Sequence, residues 1–229
     1  MTTFEISDAC KSAYPDAYAG VLVMGNVSNP AAHPELENQK TILEGQLRAQ
    51  FSGLDRSAIE ALPAIQAYNA YYRRFKKTYH VQLQLESIVF KGKTIPHVAA
   101  LVEAMFMAEV KNMLLTAGHD LLALELPITL DVSKGDERYT LLRGQEQVLK
   151  PGDMLMADRA GIISSILYGP DQRTQIKSGT QEVVFTVYAP PGVDERAVWG
   201  HLQDIQANVG VVAPEARVKM AQVFGMQSG

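Results

Sequence analysis

The chain has 229 residues but a single cysteine, and no apolar run approaches the about 18 residues that a membrane-spanning helix needs. One cysteine, Cys10, excludes an internal disulfide framework and a cysteine-rich zinc site, and it suits a reducing compartment. The first residues also lack a basic stretch followed by an apolar one, which predicts no export signal. We therefore expect a cytoplasmic protein without membrane association.

Motifs of the common enzyme classes are absent as well. The sequence has no Walker loop, no GxGxxG after a strand, no GxSxG and no HExxH. Its five histidines are scattered, with no pair at metal-ligand spacing: His33, His80, His97, His119 and His201. A nucleophilic thiol would need a neighbouring base, and none can be placed beside Cys10. The sequence thus predicts neither a cofactor nor a metal centre.

Net charge is −4, which argues against nucleic-acid binding by the whole surface, because phosphate contacts need a local excess of Lys and Arg. One such excess exists in the segment YYRRFKKTYH, where Arg73, Arg74, Lys76 and Lys77 alternate with aromatic residues. Two interpretations are open. The cations contact phosphates, or the aromatic residues form the buried face of a helix and the cations are solvated on its other face.

Hydrophobic periodicity predicts helices mainly in the first half of the chain and short strands after Pro127. The strongest helical stripe runs from Pro96 to Leu114 and predicts a C-terminal cap at Gly118, with His119 just beyond it. A closing helix is predicted from Val193 to about residue 210. This order indicates an α+β fold in one unit.

A long polar segment, GPDQRTQIKSGT (residues 169–180), separates two apolar runs that read as buried strands. Long polar loops inside a compact β region are uncommon and are often functional. Arg173, Thr174 and Gln175 are its candidate ligand-binding side chains. The alternative is an ordinary ordered loop, held by hydrogen bonds from Asp171 and Thr174.

Taken in order, four segments resemble the B3/B4 domain of the phenylalanyl-tRNA synthetase beta chain, and more closely the freestanding proteins that consist of that domain. These segments are YYRRF followed by KTY, KGKTIPHVAALVEAM, KPGDMLMADRAGIISSILY and DQRTQIKSGTQEVVFTVY. The best match covers residues 65–189. The resemblance implies that residues 1–229 form a single domain with a three-layer fold, in which an irregular β-sandwich or mixed sheet is flanked by helices.

The resemblance also implies a pocket. Its histidine corresponds to His119, and the glutamate that senses the tyrosine hydroxyl in the synthetase corresponds to Gln175. An asparagine of the family falls at Phe106, which with Met105 would shape the pocket wall. His119 could equally be a structural residue favoured at a helix end, and the methionines could be ordinary core.

The function implied is tRNA binding with editing, in which water hydrolyses the ester of a mischarged aminoacyl-tRNA. His119 would then be the catalytic residue, Arg173, Thr174 and Gln175 would bind the substrate, and the basic cluster would contact tRNA. The absence of a catalytic triad is compatible with such a reaction, because it needs a positioned water and oxyanion donors more than a strong nucleophile. The alternative is a non-catalytic module that binds a small molecule, such as an amino acid, in the same pocket.

Overall fold

The computed structural model describes residues 4–226, in which two main β-sheets are flanked by helices. The helices are α1 (Asp8–Ala13), α2 (Pro34–Gln50), α3 (Arg56–Glu60), α4 (Pro63–Arg74), α5 (His80–Lys91), α6 (Ala100–Asn112) and α7 (Glu195–Val212). The strands are β1 (Phe4–Ile6), β2 (Tyr18–Gly25), β3 (Leu115–Asp120), β4 (Ile128–Val132), β5 (Arg138–Thr140), β6 (Glu146–Val148), β7 (Met154–Asp158), β8 (Gly161–Ser165), β9 (Gly169–Pro170), β10 (Glu182–Ala189) and β11 (Arg217–Gly225).

One sheet is antiparallel, with the strand order β11-β2-β10-β3. The other has the order β1-β4-β7-β8-β9 and is mixed, because β1 pairs with β4 in parallel while its other pairs are antiparallel. Strands β5 and β6 form a separate ribbon. This architecture confirms the predicted α+β class.

The two central strands of the antiparallel sheet have continuous apolar sequences. Strands β2 and β10 are buried along almost their whole length, so both faces carry apolar residues and the runs are continuous rather than alternating. They pair from Glu182 with Gly25 to Ala189 with Tyr18. The two strands that flank the polar segment, β8 and β10, are therefore mostly buried, as predicted.

The strongest predicted helix ends before Gly118, where its C-terminal cap was predicted. Helix α6 stops at Asn112, and Met113 takes the left-handed conformation with φ of 59° while its N–H bonds to the Glu109 carbonyl. The chain then enters β3, so Gly118 is a strand residue and the prediction of a helix cap there was wrong. His119 consequently lies in β3, an edge strand of the antiparallel sheet, rather than past a helix end. The apolar run LLTA hid the boundary because it continues the helical stripe.

The C-terminal part was also predicted incompletely. Helix α7, predicted from Val193, begins at Glu195 after the N-cap Asp194 and continues to Val212, beyond the predicted end near residue 210. Strand β11 follows and pairs with β2, although no strand was predicted there. It is an edge strand whose side chains are mostly half-buried or exposed, so its sequence shows no clean alternation of apolar and polar residues.

Aromatic packing accounts for one face of α4. Tyr68 and Tyr72 are buried, Tyr68 stacks on Tyr79 with ring centroids 4.2 Å apart, and its hydroxyl donates to the Tyr188 carbonyl. The cations Arg73 and Arg74 lie exposed at the C-terminal end of the helix. The buried-face interpretation of the aromatic residues is therefore correct, and the cations are available to solvent.

None of the helices within residues 4–226 combines the length and the apolar character that crossing a bilayer requires.

Candidate functional site

A cavity of about 500 Å³ lies between α5, α6, β3 and the polar segment. Its walls are mainly apolar, with a few polar groups that face the same space, as is usual for small-molecule sites. The lining residues from the helices are His80, Gln84, Val98, Val102, Met105, Phe106 and Glu109. Those from the strands and loops are Leu115, Thr116, Gly118, Leu142, Arg143, Gly169, Pro170, Gln175 and Ile176.

One face of α6 supplies much of the wall. Val102, Met105, Phe106 and Glu109 follow one another at intervals of three, one and three residues, which places them on one side of a helix. Met105 and Phe106 were predicted as pocket-wall residues, and both line this cavity. Gln175 of the polar segment, also predicted, lines the same cavity. Their roles toward a ligand stay predictions.

Glu109 is a cavity residue that the sequence analysis missed. Its side chain is 2% exposed, and its Oε1 accepts the backbone N–H of Thr116 at 2.8 Å. Burial raises the pKa of Glu109 from an ordinary value of 4.5 to about 8, against a smaller lowering by the Thr116 hydrogen bond. The carboxyl group is thus mainly protonated at neutral pH. A glutamate on the apolar stripe of α6 was the available signal.

Behind Glu109, a chain of hydrogen bonds holds Thr116 in place. The Thr116 hydroxyl is 2.6 Å from His201 Nε2, and Asn112 Nδ2 is 3.2 Å from His201 Nδ1 and 2.8 Å from Asp204. Burial lowers the pKa of His201 to about 4, so its ring is neutral. The Asn112 amide donates to Nδ1, and Nε2–H therefore donates to Thr116. This chain orients the backbone N–H that Glu109 accepts.

His119 lies next to the cavity in sequence but does not line it. Successive residues of a strand point to opposite faces, and Gly118 is the one that faces the cavity. The His119 ring is fully buried, with Nδ1 2.7 Å from the Thr174 hydroxyl. Because Thr174 donates its proton to Asp171, His119 Nδ1 is the donor, and Nε2 has no partner among the described residues. Burial lowers its pKa to about 3, so the ring is neutral.

The predicted substrate-binding residues Arg173 and Thr174 make contacts within the protein. Arg173 Nη1 and Nη2 lie 3.0 and 2.7 Å from the two oxygens of Asp158, and Nη1 also donates to the Ala123 carbonyl. The backbone of Thr174 accepts from the Asp120 N–H at 2.8 Å. These contacts join the polar segment to both sheets. Neither side chain lines the cavity, and their predicted binding role is untested.

Two further cavities adjoin the first. One of about 450 Å³ shares His80 and Gly169 with it and is lined by Lys77 and Tyr168, with Lys77 Nζ 4.2 Å from the Tyr168 ring centroid. The other, about 210 Å³, shares Arg143 with the first cavity. Desolvation, and then the neighbouring Lys150, lower the pKa of Lys77. The basic cluster therefore contributes Lys77 to the 450 Å³ cavity, hereafter the basic groove, whereas Lys76 is exposed outside it.

One group of side chains elsewhere has ligand atoms close enough for a metal ion. Glu37, His97 and Glu103 place one ligand atom each within 4.8 Å of one another. However, Lys40 Nζ lies 3.0 Å from Glu37 and 2.7 Å from Glu103, so its ammonium already neutralises both carboxylates. This arrangement is an ion-pair network that joins α2 to α6.

Comparisons with known proteins give a match of fold. No protein-family model and no curated protein sequence matches the chain. Among solved structures, the crystal structure of an N-terminal fragment of the phenylalanyl-tRNA synthetase beta-subunit from Pyrococcus horikoshii matches with a TM-score of 0.50 and 11% identity. The match covers 97% of this chain and 50% of that one, so the chain spans about half the length of its structural relative. This is a distant structural similarity.

Proposed function

We propose that residues 1–229 form one B3/B4-type domain that binds the aminoacyl end of a tRNA, with the amino-acid side chain in the 500 Å³ cavity. The observation that carries this proposal is the cavity itself: an apolar space with a small set of polar groups and a basic groove beside it. Its volume falls within the range of about 300–1,000 Å³ typical of ligand pockets. The distant similarity to a synthetase beta-subunit fragment supports the tRNA partner.

Charge at the groove favours a phosphate-bearing ligand. Across the three adjoining cavities, the charged lining side chains are Arg143 and Lys77 near the surface and Glu109 in the interior. Glu109 is mainly protonated at neutral pH, which leaves a positive rim. Arg73 and Lys76 extend that charge over the adjacent surface. A positive rim beside an amino-acid-sized cavity suits a charged 3′ end.

Hydrolysis of the ester is the activity that this binding mode would serve. Water would attack the aminoacyl carbonyl carbon, and the ribose oxygen would leave with a proton. The side-chain amide N–H groups of Gln175 and Gln84 are two neutral donors in the wall that could bind the developing oxyanion. His119 does not face this space, so water activation by His119 would require its ring to reach the cavity after a rearrangement.

A non-catalytic site for a small molecule is the second candidate, and one observation favours it. Arg173 and Thr174 make contacts within the protein, and His119 uses its Nδ1 in a hydrogen bond to Thr174. The cavity would then retain an amino acid or a related molecule without cleaving an ester.

Deacylation and tRNA retention test the proposal together. The protein is incubated with a panel of mischarged tRNAs while ester loss is followed, and tRNA retention is measured at low salt. Gln84→Trp, which fills the cavity, should abolish both cleavage and recognition of the aminoacyl group. Leu83→Trp, at an exposed neighbour on the same helix that does not line the cavity, is the matched control.

Two charge-reversal variants test the proposed tRNA contacts. Lys77→Glu should weaken tRNA binding and reduce its salt dependence, whereas Arg196→Glu, an exposed residue of α7 outside the cavities, should leave both unchanged. Retention without cleavage would support binding and contradict hydrolysis. If the protein binds amino acids but neither cleaves nor retains tRNA, the small-molecule site would replace the tRNA proposal.

A further inference from the structure

Glu109 is a buried carboxyl group in the cavity wall that has no counter-ion. Glu103 and Asp158 are each paired with a cation, Lys40 and Arg173 respectively. Among residues 4–226, no Lys, Arg or His nitrogen lies within 4.0 Å of the Glu109 carboxylate. Among the described residues its one hydrogen bond is from the Thr116 N–H to Oε1, so Oε2 has no partner, and Glu109 lines the cavity.

An unpaired carboxyl group in an apolar cavity is costly, and structures retain such groups mainly where a ligand or a reaction uses them. The partner that compensates a buried carboxylate best is a cation able to donate hydrogen bonds. The surrounding wall residues Met105, Phe106 and Ile176 offer contact only to an apolar or aromatic body. The ligand chemistry that satisfies both is a primary ammonium attached to an apolar group.

We propose that Glu109 binds the ammonium group of the ligand, so that the cavity is a site for primary amines with an apolar or aromatic body. Under the proposed function, on which this inference rests, the amine is the free α-amino group of the aminoacyl ester. The ammonium donates to Oε2 while Thr116 continues to donate to Oε1. The apolar side chain then lies against Met105 and Phe106.

Such binding is linked to a proton. In the free protein the pKa of Glu109 is about 8, so below that pH an ammonium ligand must displace the carboxyl proton. Other titratable or charged groups face this region: His80 and Arg143 in the cavity wall, Tyr68, Tyr72 and Tyr79 on the α4 and α5 side, and His201 behind Thr116. The tyrosine pKa values are raised and His201 is neutral, so these groups keep their charge between pH 6 and 8.

Calorimetric titration with paired probes tests the inference. The probes are the L-amino-acid amides of Ala, Val, Leu, Met, Phe, Tyr and Trp, and the same amides acetylated on the α-nitrogen. At least one free amide should bind about 10-fold or more tightly than its acetylated form. At pH 6.5 its binding should release about one proton, measured from the heats in two buffers of different ionisation enthalpy.

The variant Glu109→Gln keeps the size and the hydrogen bond from Thr116 but cannot become charged. It should lose about 10-fold or more of its affinity for the free amide and release no proton, with no change toward the acetylated form. Glu195→Gln, at an exposed position outside the cavity, is the control. Equal affinity of free and acetylated amides, or unchanged binding by Glu109→Gln, would overturn the ammonium assignment while leaving the cavity as a binding site. Absence of any amide binding would also overturn it, and tRNA retention would then judge the proposed function separately.

Discussion

The buried carboxyl group of Glu109 should make the stability of the ligand-free protein fall as pH rises. Its folded pKa of about 8 lies above the ordinary value of 4.5 that applies to the unfolded chain. Between these values the folded state holds a proton that the unfolded state has released. The stability contribution is therefore complete below about pH 4.5 and is lost progressively as pH rises to 8.

The magnitude follows from the two pKa values. Integrating the proton linkage from pH 5 to pH 9 gives a loss of about 4 kcal/mol in the free energy of unfolding. Glu109→Gln removes this term but keeps an acceptor for the Thr116 N–H. The variant should therefore gain about 4 kcal/mol relative to the wild type over the same pH range.

Urea denaturation at pH 5, 7 and 9 measures the difference between wild type and variant. Subtraction removes groups common to both proteins, including Asp153, whose pKa burial raises to about 7 and which therefore acts with the same sign. Glu195→Gln, an exposed neutralised glutamate, should track the wild type at every pH. A wild-type minus Glu109→Gln difference that stays constant from pH 5 to pH 9 would refute the assignment of a raised pKa to Glu109.

Three other substitutions probe the site and its support. His119→Ala should lower the free energy of unfolding by about 3 kcal/mol, because it leaves a void in place of a fully buried ring; denaturation measures this loss. Amide affinity, measured by calorimetry, should not change if the ring stays outside the cavity. Arg173→Ala should destabilise the protein by about 1–3 kcal/mol, because Asp158 would lose its ion pair but keep the backbone N–H groups of Glu125, Ala160 and Gly161. Asp158→Asn in the same background should recover part of that loss. Gly118→Ala places a Cβ 2.8 Å from Ile176 Cδ1, so the end of the Ile176 side chain, which lines the cavity, must shift. Amide affinity should then fall several-fold, and unchanged affinity would show that Ile176 does not border the ligand.

Local signals carried much of the secondary structure. Pro34 and Pro63 start α2 and α4, and Gly92 ends α5 in the left-handed conformation. Such boundaries are visible in a sequence because a proline at the first turn and a glycine after the last act within a few residues. The end of α6 was predicted wrongly because no local signal marks it. Met113 adopts a left-handed conformation that usually favours glycine, and the chain continues into β3, which pairs with the distant strand β10.

The candidate site was predicted in part. The apolar stripe of α6 and the polar segment are visible in the sequence, and Met105, Phe106 and Gln175, which the resemblance implied as pocket residues, line one cavity. Their roles toward a ligand stay predictions. His119 was placed on the wrong kind of element, and the strand alternation at Gly118 turns its ring away from the cavity. The contacts of Arg173 with Asp158 could not be foreseen, because they join residues from different parts of the fold.

Composition and periodicity alone determined an α+β chain with one strongly apolar helix, a polar segment between buried strands and a local basic cluster. Those features depend on nearest neighbours and on the burial of apolar surface, which a linear pattern records. Only the tertiary structure decided which polar groups are desolvated and which of them have hydrogen-bond or ion-pair partners. Glu109 is an ordinary glutamate in the sequence, and it acquires a raised pKa and an unpaired oxygen only because α5, β3 and the polar segment enclose it beside an apolar cavity.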